Sequence, residues 1–90
     1  MIMKFGDIKF DKLRDFPYGL NAILPFGEYE LSIIQNDMSY GSKEGLYEIG
    51  VFKNDDMVEL PGITYENDSV RGHLDEAGVE EIIEKMNKLI

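Results

Sequence analysis

HLDEAGVEEIIEKMNKLI, His73 to Ile90, is the stretch on which the fold turns. Val79, Ile82, Ile83, Met86 and Leu89 or Ile90 recur at helical spacing, which makes one side of a helix apolar. Asp75 is placed to cap it, because its carboxylate can accept backbone N–H bonds from the first turn. Leu74 and Val79 hold the two positions of a hydrophobic staple across that cap. Glu76, Glu80, Glu81 and Glu84 crowd the first half, and Lys85 and Lys88 lie near the end. That distribution suits the helix dipole, at about 0.3–1 kcal/mol for each well-placed exposed charge. Glu81 with Lys85 and Glu84 with Lys88 are i,i+4 pairs in the favourable direction. Gly78 is a weak point in the first turn. The spacing predicts a helix over residues 75–89, and its apolar stripe must be buried against another element.

The upstream sequence supplies a sheet for it to cover. Leu20, Ala22, Leu24 and Phe26 alternate onto one face of a strand, and Tyr29, Leu31 and Ile33 onto one face of the next. Gly27-Glu28 joins them as a hairpin. Pro25 lacks a ladder donor, which argues for an edge position or a strand end. After MSYGSKEG, residues 38–45, comes a third strand in which Tyr47, Ile49 and Val51 share a face. Leu46, Glu48, Gly50 and Phe52 share the other, which is only partly apolar. Asn54-Asp55-Asp56 has turn chemistry, since Asn and Asp tolerate left-handed backbone. MVEL returns as a short strand ended by Pro61-Gly62. FGDIKF, residues 5–10, reads as an edge strand or an ordered arm, and DKLRDFPYG after it as a connection. The expected architecture is a single α+β domain over residues 1–90, an antiparallel meander of four or five strands with the C-terminal helix packed on one face.

Composition narrows the function classes. The 90 residues contain no cysteine, which excludes disulfides and thiolate metal sites and fits a reducing cytoplasm. The opening residues lack the apolar core of a signal peptide, and no apolar run approaches the length of a membrane span. A soluble protein without a membrane partner is the expectation. Eighteen acids against nine bases give a net charge of −9. The excess is uneven: residues 1–26 carry four bases and three acids, residues 27–90 five bases and fifteen acids. Such a field repels nucleic acid and speeds encounter with a basic surface, although surplus carboxylates also serve solubility alone.

Reactive groups are sparse. His73 is the single histidine, and Ser32, Ser39, Ser42 and Ser69 stand in no nucleophile-elbow context. Asp55-Asp56 and Glu66 with Asp68 lack the spacing of a calcium loop. GSKEG, residues 41–45, lacks the Gly-Lys-Ser/Thr ending of a phosphate loop, and Glu44 opposes a phosphate. The expectation is no catalytic residue, no metal and no cofactor. Tyr29 and Tyr47 fall on inward faces. Tyr40 and Tyr65 lie in acidic loops, where an exposed ring is a protein-recognition element or else folds back to cap the sheet edge.

SYGSKEGLYEIGVF, with the later ITYENDSVRGHLDEAGVEEIIEKMNKL, resembles a group of small uncharacterised phage and prophage proteins. Their pattern is a Tyr-Gly loop, a Gly-Leu-Tyr-Glu strand, and an Asp-Val-x-Gly-x-Leu segment before an acidic terminal helix. Tyr40, Gly41, Gly45, Leu46, Tyr47 and Glu48 match the first part; Asp68, Val70, Gly72 and Leu74 echo the second, with Ser69 standing between the Asp and the Val. The resemblance spans roughly residues 20–90 and implies an accessory protein of a mobile element, with no assigned reaction to carry over. Two expectations follow. In the first, the chain binds a basic host or defence protein in place of nucleic acid, as anti-CRISPR proteins do. Its contacts would be Tyr40, Asp55, Asp56, Glu59, Tyr65, Glu76, Glu80, Glu81 and Glu84. In the second, it self-associates as a homodimer or assembly module through Phe52, Leu46 and Ile34 on the unfilled face of the sheet.

Overall fold

Two tight turns set the register of the sheet. Gly27, at φ 63, and Glu28 join β2 (Gly19–Phe26) to β3 (Tyr29–Asn36). A left-handed glycine at the first loop position alone is the signature of a type II′ hairpin. Asn54 and Asp55, at φ 52 and 68, join β4 (Tyr47–Lys53) to β5 (Asp56–Met57). Two consecutive left-handed residues make this a type I′ turn, which Asn and Asp accept more readily than other non-glycine residues. Both turns carry the right-handed twist of the flanking strands, and so hold the pairings Phe26↔Tyr29 and Lys53↔Asp56.

The computed structural model describes residues 4–13, 19–36, 44–64 and 70–89. Within them the strands run β1 (Asp11–Leu13), β2, β3, β4, β5 and β6 (Val70–Leu74), followed by α1 (Glu76–Asn87). The strands form one antiparallel sheet in the order β1-β2-β3-β4-β5, with β6 pairing the other half of β4. The α+β architecture with a C-terminal helix over one face is therefore present. It differs from the expected meander in two places. The edge strand at the N-terminal end is Asp11–Leu13, inside the segment expected to be a connection, while Phe5–Asp7 forms a single 3-10 turn of an ordered arm. The last strand, β6, returns to β4 beside β5, whose two residues are shorter than the expected MVEL strand.

The inward rows close the core. Ala22, Phe26, Leu31, Ile33, Ile49, Val51 and Leu74 from the sheet pack with Val79, Ile82, Ile83 and Met86 from α1, and Ile8 of the arm and Ile63 complete the cluster. Asp75 caps α1 by accepting the Gly78 N–H at 2.7 Å, and Glu81 meets Lys85 at 3.5 Å. The expected Glu84–Lys88 pair does not form. Lys85 donates to the Gly62 carbonyl at 2.9 Å, which ties the helix to the Leu60–Ile63 turn. There Pro61, a left-handed Gly62 at φ 84 and the Ile63 N–H to Leu60 bond of 3.0 Å mark a type II turn.

Pro25 sits where its missing donor does least harm. The closing pair of a two-residue hairpin is hydrogen-bonded and the pairs then alternate. Pro25, opposite Glu30, therefore turns its backbone nitrogen toward the outer edge of β2. β1 covers that edge only from Gly19 to Asn21. Proline at an open stretch of edge also discourages pairing with another chain.

Candidate functional site

The sheet separates two surfaces of opposite character. Alternation along the strands turns Asn21, Ile23 and Pro25 of β2, Glu30, Ser32 and Ile34 of β3, and Glu48, Gly50 and Phe52 of β4 away from the helix. The register joins them into rows: Pro25, Glu30, Phe52 and Met57 in one, Ile23, Ser32, Gly50 and Val70 in the next, Asn21, Ile34 and Glu48 in the third. Asp11 extends the third row. No Lys or Arg holds an outward register position on β1 to β5. Lys12 pairs with inward Leu20, Lys53 with inward Tyr29, and Arg71 with inward Ile49. The Lys53 ammonium lies 5.6 Å from the Tyr29 ring centroid and 3.6 Å from Glu28, so this cation is engaged on the helix side of the sheet.

On the open side, Ile23, Glu30, Phe52 and Asp55 line one shallow cleft. Ile23 is 56% exposed and Met57 48%, a high degree for large apolar side chains in a sheet whose other face holds the core. Phe52 and Ile34 are half-buried on this face, and Leu46 half-buried just before β4. Neither Glu30 nor Asp55 forms an ion pair among the described residues.

The helix side carries the other acids. Glu76, Glu81 and Glu84 are exposed on α1, with Glu81 held to Lys85. Glu80 is half-buried and accepts the Phe5 N–H at 2.7 Å, so its carboxylate anchors the N-terminal arm. The arm is fixed a second time by an aromatic cluster. Phe5 meets Tyr47 edge-on at 5.2 Å, and Phe10 stacks on Tyr47 at 5.6 Å. Burial, and then the negative charge of Glu76, push the Tyr47 phenol above its ordinary pKa.

The nine residues expected to bind a partner are thus divided. Asp55 opens onto the cleft of the open face, with Asp56 and Glu59 exposed on the chain just after it. Glu76, Glu80, Glu81 and Glu84 belong to the opposite, helix-covered side, and Glu80 has a structural task. Tyr40 and Tyr65 lie outside the described residues. Glu30 and Ile23 were not among the expected contacts. Strand alternation marks both as outward, but their meeting with Phe52 depends on the β3–β4 register, for which residues 37–43 hold no short-turn signal.

His73 is exposed beside the helix start at φ 56. It belongs to a bulge in which Gly72 and His73 together face Glu48, between the pairs Tyr47↔Leu74 and Ile49↔Arg71. Among the described residues, no three His, Asp or Glu side chains gather as metal ligands, and no helix is long and apolar enough to cross a membrane. Comparison with protein-family models, curated proteins and solved structures finds no match for this chain.

Proposed function

We propose that this chain is a protein-binding module whose acidic surface takes the place of nucleic acid on a basic protein. In keeping with the phage and prophage resemblance, it would be an accessory protein that blocks a host or defence factor in the cytoplasm. One observation carries the reading. Glu30, Asp55, Asp56, Glu59, Glu76 and Glu84 are all exposed, and none forms an ion pair among the described residues. Their charge is therefore available to an incoming surface. Carboxylates in this state speed encounter with a basic groove and favour its register, more than they add raw affinity.

Affinity capture from a host lysate tests it, using the tagged protein beside a variant with Glu30→Gln, Asp55→Asn, Glu76→Gln and Glu84→Gln. The reading expects the parent alone to recover a basic protein, and expects that protein to lose its DNA or RNA in a gel-shift assay when the chain is added. Recovery that is indifferent to the four substitutions, or a captured protein that keeps its nucleic acid, removes the reading. A second reading, self-association through the open face, is favoured by the exposure of Ile23 and Met57. A strictly monomeric mass in sedimentation at high concentration removes that one.

A further inference from the structure

The geometry points to the open face of the sheet, rather than the helix, as the surface that receives the partner. The occupant is a basic segment carrying an apolar side chain, seated in the cleft between Ile23 and Phe52. This inference rests on the protein-binding reading above and specifies its surface.

Two features of the face define what fits. It is partly apolar and wet: Ile23 on β2 and Met57 on β5 are about half exposed, and taking such surface from water is the main driving force of association. Its acids stand among these apolar groups. Glu30 stands directly opposite Phe52, Asp55 borders the same cleft, and no base holds an outward register position on β1 to β5. The helix side, by contrast, exposes Glu76 and Glu84 but pairs Glu81 with Lys85, commits Glu80 to the arm, carries Lys88 as well and lines no apolar cleft among the described residues.

Charge selects among occupants. A second copy docked face to face by a two-fold axis would bury Glu30 and Asp55 of both copies in an interface to which β1 to β5 bring no outward base. The chain already has a net charge of −9, and juxtaposed like charges cost affinity. Nucleic acid is repelled for the same reason. A segment with Lys or Arg on either side of an apolar residue satisfies both features at once, filling the cleft and meeting each of its carboxylates with the opposite sign.

The test is an NMR titration of the isotope-labelled protein with three short synthetic peptides, alternating Lys/Leu, Lys/Ser and Glu/Leu. The inference expects the Lys/Leu peptide to shift the amides of Ile23, Glu30, Phe52 and Met57 at the lowest concentration, with no response to Glu/Leu. Ile23→Thr, and separately Glu30→Lys combined with Asp55→Asn, each weaken that binding roughly tenfold. Both are surface changes, and Asn keeps the left-handed backbone at position 55, so unchanged amide dispersion verifies the fold of each variant. Shifts confined to Glu76, Glu81 and Glu84 overturn this surface and leave the protein-binding reading standing. An equal response to Glu/Leu overturns the charge requirement. Concentration-dependent shifts at Ile23 and Phe52 without peptide show a second copy as the occupant and also overturn it. Silence toward both basic peptides fails the protein-binding reading itself.

Discussion

Gly78 shows how a residue that looks unfavourable alone can suit its neighbours. In the interior of a helix, alanine is preferred over glycine by about 1 kcal/mol. Here a Cβ would lie 3.1 Å from both the Asp75 carboxylate and the Leu74 methyl, the groups that cap and staple the helix. Gly78→Ala is therefore expected to give no net stabilisation in urea unfolding; a full gain of about 1 kcal/mol would show that the cap and staple relax freely. Tyr47 makes a pH prediction. Burial, with help from Glu76, raises its folded-state pKa above the ordinary 10.0. Its contribution to stability is complete below that ordinary value and is lost as pH rises through the folded one. Unfolding midpoints followed into alkali should fall less steeply in Tyr47→Phe than in the parent, and identical slopes would contradict the assignment.

At the scale of elements, what the sequence disclosed was local chemistry. Asp75, Leu74 and the stripe from Val79 to Met86 gave the helix, and alternation gave β2, β3 and β4 with their inward faces. Asn54-Asp55 and Gly27-Glu28 gave both short turns. What stayed hidden was pairing between segments distant in the chain. Val70–Leu74 has no alternation, because Gly72 and His73 share one partner in a bulge, so its pattern is broken at its centre. Asp11–Leu13 is too short for a period to show. Glu30 was not singled out and Glu80 was expected to meet a partner, because the role of one needs the β3–β4 register and that of the other the arm folded back on α1. Gly19 is the element-scale position most exposed to test. Its φ of 146 and a Cβ only 2.6 Å from the Asn36 Cα leave no room for a side chain at the start of β2. Gly19→Ala should cost at least about 2 kcal/mol, read as a lower urea midpoint; a midpoint equal to the parent's would mean that β2 begins elsewhere.

For the whole molecule, the two sides of the sheet differ in where their bases lie. The helix-covered side holds the pairs Lys53–Glu28 and Lys85–Glu81 beside the exposed Glu76 and Glu84, while the open side presents Glu30 and Asp55 with Ile23 and Phe52 and no outward-facing base on β1 to β5. One chain thus combines a closed core with an outer face on which exposed apolar side chains flank unpaired carboxylates. Binding to such a face needs opposite charge, and opposite charge between exposed groups is screened by salt. The decisive measurement is calorimetric affinity for the alternating Lys/Leu peptide across salt, from about 50 to 300 mM, where the screening length shortens well below 10 Å. A steady fall in affinity with rising salt is predicted, and it should be markedly shallower in the Glu30→Gln, Asp55→Asn variant. A flat profile, or the same slope in parent and variant, would contradict an acidic docking surface on this protein.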